Sequence, residues 1–218
     1  MDKMTFITAL CKGYPELESI RGLIVQAAEA LIVCFSQKGK LLICGNGGSS
    51  CDADHIVGEM VKSFEMERPL SSSLQNKLIN LDSGRGTYLA EKLEQGLPAI
   101  SLSSQTALMT AVANDTDSSL IFAQQVIVYG SDHDILLGIS TSGNSQNILN
   151  ACLTAKALGM KIIGLTGKTG GEMRSYCDIL INVPENSTGR VQELHLPVLH
   201  ALCREVENHF YGIKSEKK

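Results

Sequence analysis

The chain has 218 residues, 44% of them hydrophobic and 19% charged, with a formal net charge of −4, which suits one α/β domain with a full core and an added helical segment. The acidic balance and the lack of an internal Lys/Arg cluster exclude nucleic acid as the main partner, since only residues 214–218 are locally basic and read as a frayed tail. No stretch approaches the length of a membrane span and the N-terminus lacks the sections of a signal peptide, so no membrane partner and a cytoplasmic protein are expected.

In chain order, residues 2–12 and 15–37 are expected to be helical, broken at Gly13 and Pro15. Ile20, Leu23, Ile24, Ala27, Ala28, Leu31, Ile32 and Phe35 give the second helix a broad apolar stripe. Such a helix either covers the sheet or packs against another subunit. Residues 41–44 form the first strand, and Gly45-Asn46-Gly47-Gly48-Ser49-Ser50 turns it into a helix running to about Phe64. Residues 69–97 are a long excursion. Ser71, Ser72 and Ser73 open it, and Leu74, Leu78 and Leu81 have weak helical spacing. Residues 82–86 are a turn and 87–95 a short helix. About thirty residues are too few for an independent core, so the excursion is expected to pack on a neighbouring subunit or on the rim of a site.

Residues 98–102 give the second strand, and 105–114 and 119–129 are helical. Strands follow at 135–139, 161–166 and 179–183, joined by helices at 145–158 and 171–176. The last helix runs from about Gly189 to Tyr211, with Pro197 expected to kink it. Strands alternating with helices imply a doubly wound parallel sheet with right-handed crossovers. Ligands of such sheets bind beyond the strand C-termini. Cysteines at 11, 34, 44, 51, 152, 177 and 203 contain no Cys-x-x-Cys and read as small core residues in a reducing compartment.

The most informative stretch is Asp134-Ile-Leu-Leu-Gly-Ile-Ser-Thr-Ser-Gly-Asn-Ser-Gln146. A buried-strand run ends in Ser140, Thr141, Ser142, Gly143, Asn144 and Ser145, and a helical pattern begins at once. Free backbone N–H groups and the helix dipole favour an anion there, and four hydroxyls add donors. The loop has no lysine, so a small phosphate monoester fits it better than a nucleoside triphosphate. The plainer reading is a capping loop with Ser145 as N-cap. The density of hydroxyls at a strand-to-helix junction favours the phosphate. The Gly45–Ser50 turn is a second such junction, and the two loops together could hold a sugar phosphate.

The helix after the glycine-rich turn carries Asp52, His55 and Glu59, with His55 and Glu59 on one face at i and i+4. That pair suits a metal such as zinc, or a solvent-facing hydrogen bond. The last helix adds Gln192, Glu193, His195 and His200. Gln192 and His200 lie near one line but about 12 Å apart along the axis, so converging on one ion requires both side chains to bend. His195 faces away from His200 and reads as structural or interfacial.

With these residues assembled, the chain resembles the sugar isomerase (SIS) domain family, and within it the enzymes that isomerise sedoheptulose 7-phosphate. The resemblance rests on Cys44-Gly-Asn-Gly-Gly-Ser49, Asp52-Ala-Asp-His55 with Glu59, Ala113-Asn-Asp115, residues 134–145, Ile163-Gly-Leu-Thr-Gly-Lys168, Arg190-Val-Gln-Glu-Leu-His195 and His200. It covers roughly residues 4–68 and 98–212 in the family's order. It implies a single flavodoxin-like domain over 1–218 with a segment inserted at 69–97, a homotetramer with sites between subunits, and a role in heptose or lipopolysaccharide precursor synthesis. It implies one zinc ion held by residues matching His55, Glu59, Gln192 and His200. It places residues matching Asn46, Gly47, Gly48, Ser49, Asp115, Ser140, Thr141, Ser142, Ser145 and Gln192 against the sugar or its phosphate. This chain has Gly189 where the family usually has an aspartate, and Ser63, with Lys62 beside it, where the family usually has a basic residue.

The function expected is aldose–ketose isomerisation of a phosphorylated sugar through an enediol. His200, as an imidazole, suits the base, and Glu59 the acid. The rival is a non-catalytic module that binds sugar phosphates or docks onto replication proteins. Such a module needs the hydroxyl loop but not Glu59 and His200 together.

Overall fold

The apolar runs on either side of the two loops lack polar alternation because both faces of each strand are covered. Every residue of β1 (Leu41–Gly45) is buried. After it come β2 (Ala99–Ser101), β3 (Ile135–Ser140), β4 (Lys161–Thr166) and β5 (Ile179–Asn182). They form one sheet in the order β2-β1-β3-β4-β5 with every pairing parallel, the doubly wound, flavodoxin-like order. The computed structural model describes residues 4–212. The basic tail at 214–218 and the first residues of the helix expected at 2–12 lie outside the described residues.

The helices are α1 (Thr5–Gly13), α2 (Arg21–Ser36), α3 (Gly48–Val61), α4 (Ser72–Leu81), α5 (Ser83–Lys92), α6 (Thr106–Val112), α7 (Ala123–Tyr129), α8 (Gln146–Ala157) and α9 (Thr188–Tyr211). Strand alternation assigns the two faces. Leu41 and Ile43 of β1 join the core formed with α1, α2, α3 and α9, whereas Leu42 and Cys44 join the one formed with α7 and α8. Each fully buried Leu or Ile in these layers contributes roughly 1.5–3 kcal/mol. Five of the seven cysteines are buried and all are free thiols.

Three expectations need correction. Pro15–Ser36, 22 residues containing a stretch with a mean hydropathy of 1.5, is long and apolar enough to meet the length and composition of a membrane span. Here it opens as a 3-10 helix at Pro15–Ile20 and continues as α2, whose Ile24, Ala27, Ala28, Leu31 and Phe35 are buried in the first core. Much of the apolar stripe is therefore occupied within the chain, while its Leu23 and Ile32 are only partly buried. The turn expected at 82–86 is instead the start of α5: Asp82 caps it, accepting from the N–H groups of Gly84 (3.0 Å) and Arg85 (2.8 Å). The N-cap bond outweighs the weak helix propensity of Gly84 and Gly86. The helix expected at 105–114 ends at Val112 and passes into a π-helical turn at Ala113–Asp117.

The insertion is thus a helical hairpin. It leaves Leu74, Leu81, Tyr88 and Leu93 exposed, and is tied to the domain at its root. There Pro69 and Glu94 form an antiparallel bridge, and the Glu94 carboxylate accepts from the Ser63 N–H and hydroxyl at 2.9 and 2.7 Å. α9 runs from Thr188 to Tyr211 with Pro197 inside it.

Candidate active site

The sheet order reverses between β1 and β3, where a crevice opens at the strand C-termini. Both loops singled out from the sequence flank it. Gly47 adopts φ +56° as the N-cap of α3, a conformation in which glycine meets no Cβ penalty. Gly143 has φ +70°, and a side chain there would collide with the Gly170 carbonyl. The loop after β4 thus supports the hydroxyl loop: Gly167 N–H donates to Thr141 C=O at 3.0 Å, and Met173 N–H to Gly143 C=O at 3.0 Å.

Ser145 stands at the N-cap of α8 but makes no side-chain cap bond. Its Oγ lies 3.0 Å from Ser140 Oγ instead, so the plain capping role is not the one it plays. Ser142 Oγ accepts from Asn144 N–H at 3.2 Å. Asn46 and Asn147 exchange two amide hydrogen bonds of 2.9 Å each and join the two loops across the crevice. Asn147 was missed by sequence reasoning; its place in the first turn of the helix after Ser145 was the available signal. Ser49 is 3% exposed and sits beneath the turn against Gly45. Asp115 lies in the exposed π-helical turn, where its carboxylate accepts from Asn114 at 2.8 Å. Among the described residues no hydrogen bond links Asp115 to the other candidates.

α3 leaves the glycine-rich loop and runs alongside α9 in the same direction. The Gln192 amide nitrogen approaches to 2.6 Å from where a Cβ on Gly48 would stand, and His200 meets His55 about two turns further on. There His55 Nε2 lies 3.3 Å from both Glu59 Oε1 and His200 Nε2. The rings of His55 and His200 are 5.1 Å apart, and the Phe64 ring, also missed from sequence, lies 5.4 Å from that of His200. Gln192 and His200 share a cavity of about 940 Å³ with Asp52 and Arg190, walled by Phe6 and Tyr14 of the N-terminal segment.

Burial holds the His200 imidazole below its ordinary value, with His55 adding to the shift and Glu59 opposing it. It is therefore neutral, and can accept a proton, near pH 7. Burial raises the Asp52 carboxyl, against the pull of His55.

A zinc ion bonded at about 2.0–2.1 Å in tetrahedral geometry spaces its ligand atoms by about 3.3 Å. His55 Nε2, Glu59 Oε1 and His200 Nε2 have that spacing along two of their three edges. Glu59 Oε2 is buried without a hydrogen-bond partner. The donors suit zinc in kind and along those two edges, but among the described residues no group of three or more His, Cys, Asp or Glu side chains is arranged to hold a metal ion. Gln192 stands at the other end of the stripe, by Gly48.

The SIS domain family pattern matches residues 15–95 and 83–167. The chain is 39% identical over 210 residues to the phosphoheptose isomerase of Laribacter hongkongensis, covering 95% of this chain and 94% of that one. It is 40% identical over 194 residues to that of Helicobacter pylori strain P12, covering 89% and 88%. Among solved structures, the phosphoheptose isomerase of Francisella tularensis superposes with a TM-score of 0.75 at 34% identity, covering 94% of this chain and 95% of that one. That of Neisseria gonorrhoeae gives 0.72 at 33%, covering 92% and 94%.

Proposed function

The chain belongs to the SIS domain family and, within it, to the phosphoheptose isomerases, and from that premise we propose how its residues interconvert sedoheptulose 7-phosphate and the corresponding aldoheptose phosphate. The observation that carries the reading is the meeting of His55, Glu59 and His200 from two helices beside a crevice lined with hydroxyls. The phosphate lies against Ser140, Thr141, Ser142 and Ser145, and Asn46, Gly47, Gly48, Ser49, Asp115 and Gln192 serve the sugar chain. His200 takes a proton from C1 of the ketose while Glu59 gives one to the C2 oxygen, forming the enediol. His200 then returns its proton to C2 as Glu59 takes the proton from the C1 oxygen. Each group restores its starting state, and the two carbons have exchanged oxidation level. His55, Glu59 and His200 would hold a zinc ion, with Gln192 as the fourth ligand implied by the resemblance; when bound, it would polarise the substrate carbonyl, and His200 and Glu59 can then move protons only through atoms that do not ligate it. Catalysis, not binding alone, accounts for keeping both Glu59 and His200.

The test is incubation of the purified protein with a panel of ketose phosphates. Turnover of none would reject the isomerase and leave the binding module. In the same assay, Ser142→Ala/Ser145→Ala is expected to weaken phosphosugar binding by about 1–3 kcal/mol per lost bond to the charged phosphate. Calorimetry showing unchanged affinity would exclude the hydroxyl loop as the phosphate site.

The cytoplasmic homotetramer implied by the resemblance is part of this reading; Leu81 (85% exposed), Val128 (66%) and Tyr88 (61%) supply apolar surface that a partner copy can cover and so support association. Native mass spectrometry is expected to find four chains of 23.5 kDa with one zinc each. A metal-free monomer at micromolar concentration would contradict both points.

A further inference from the structure

Arg68 is 1% exposed, in a place where a cationic side chain is rarely found without full pairing. Its Nη1 donates to Met60 C=O at 2.7 Å and its Nη2 to Glu59 C=O at 3.0 Å. Nε donates to Glu207 Oε1 at 2.9 Å, and Nη2 lies 2.8 Å from the same oxygen. The Tyr211 ring covers the guanidinium with its centroid 4.9 Å away. The fork therefore grips the last turn of α3, where helix carbonyls run out of intrahelical donors, and ties it to α9. Glu207 completes the joint by accepting from the N–H groups of Phe64 at 2.8 Å and Glu65 at 2.9 Å.

Each contact sits one short step from the candidate chemistry. One carbonyl held by Arg68 is that of Glu59 itself. Phe64, fixed through its backbone, lies against His200. Glu207 follows His200 by seven residues, close to two full turns, and so lies on the same face of α9. A buried ion pair is a poor device for stability alone, since apolar residues of equal volume often do as well. What apolar residues cannot supply is the directional grip on specific carbonyls and N–H groups that fixes one helix against another.

We infer that Arg68, with Glu207, is a positioning residue that sets the register of α3 against α9 so that His55 and Glu59 meet His200. This rests on the isomerase reading for its effect on turnover. The same residue anchors the inserted hairpin, because its carbonyl accepts from Gln95 N–H at 2.6 Å. The hairpin's root is therefore part of the framework of the site.

The test is the double variant Arg68→Met/Glu207→Leu, which keeps volume and removes the grip. Its melting temperature is expected to fall, because backbone groups of Met60, Glu59, Phe64 and Glu65 lose their partners, while KM changes little, because the hydroxyl loop is untouched. Its kcat should fall about tenfold or more, since displacements of about 1 Å at reacting groups cost up to a hundredfold. Its crystal structure should show His55 Nε2 and His200 Nε2 moved out of hydrogen-bond reach. Arg68→Lys should lose kcat in the same way, because an ammonium cannot span three acceptors, and it carries both readouts if the double variant does not fold. Wild-type kcat, or an unchanged His55–His200 distance, in a folded variant would overturn the inference. A wild-type protein inactive on every sugar phosphate would sink the isomerase reading instead, while the distance in the variants would still decide the role of Arg68.

Discussion

Replacing His200 with asparagine, or Glu59 with glutamine, is expected to lower kcat on sedoheptulose 7-phosphate about 10²- to 10⁴-fold, the usual share of one general acid or base. Both side chains are partly exposed and the substitutions keep their polarity and add no bulk, so the fold should survive. His200 lines the cavity, and burial keeps its imidazole neutral near pH 7. Asparagine retains a hydrogen-bonding group of similar reach but takes up no proton. Glutamine keeps the shape of Glu59 and loses its exchangeable proton. The two losses should not add in the double variant, because the proposed reaction uses both groups in the same proton transfers. Steady-state kinetics with circular dichroism on each variant would decide the matter. Near-normal turnover by both single variants would remove these residues from the chemistry.

Acidification from pH 6.5 to 4 is expected to cost the fold about 3 kcal/mol through His195 alone. His195 is fully buried in α9, and neither ring nitrogen has a partner in ordinary hydrogen-bond geometry. Burial pushes its imidazole down to about 4 from 6.5, against a small opposing effect of the Thr166 backbone. The unfolded chain protonates this histidine below about 6.5, whereas the folded chain resists until about 4. Between those values the unfolded state binds more protons, so stability falls with falling pH, by about 1.4 kcal/mol per unit at most. Above pH 6.5 the group is neutral in both states and contributes no slope. Urea unfolding of the wild type and His195→Met across this window isolates the effect, because other titrating groups cancel in the difference. Parallel stability–pH curves for the two proteins would refute it. The expected structural role of His195 is consistent with its complete burial.

Much of this molecule was legible before any coordinates. The strands expected at 41–44, 135–139 and 161–166 announced themselves as short apolar runs without alternation, because a parallel sheet covered on both faces leaves few polar positions. The hydroxyl loop and the glycine-rich turn were visible for a related reason: a strand-to-helix junction built of consecutive small and hydroxylated residues is rare as plain loop composition and is the pattern an anion site would need. The i, i+4 pairing of His55 and Glu59 follows from helix geometry alone. Sequence by itself thus determined the layer order, the composition of each loop and which face of α3 carries His55 and Glu59.

What remained depended on contacts distant in the chain. His55 and His200 are 145 residues apart, and only the parallel packing of α3 on α9 brings their nitrogens to 3.3 Å. The Asn46–Asn147 amide pair spans 101 residues and exists because β1 and β3 are neighbours in the sheet. The grip of Arg68 on Glu207 across 139 residues was invisible because a lone arginine after a helix reads as solvated surface until burial removes the water. The helical hairpin was underrated because Gly84 and Gly86 lower local propensity, while the Asp82 cap that offsets them acts through a single side-chain geometry. Local periodicity records which face of an element is buried; what it is buried against is decided by long-range packing, and the candidate proton-transfer cluster is a product of that packing.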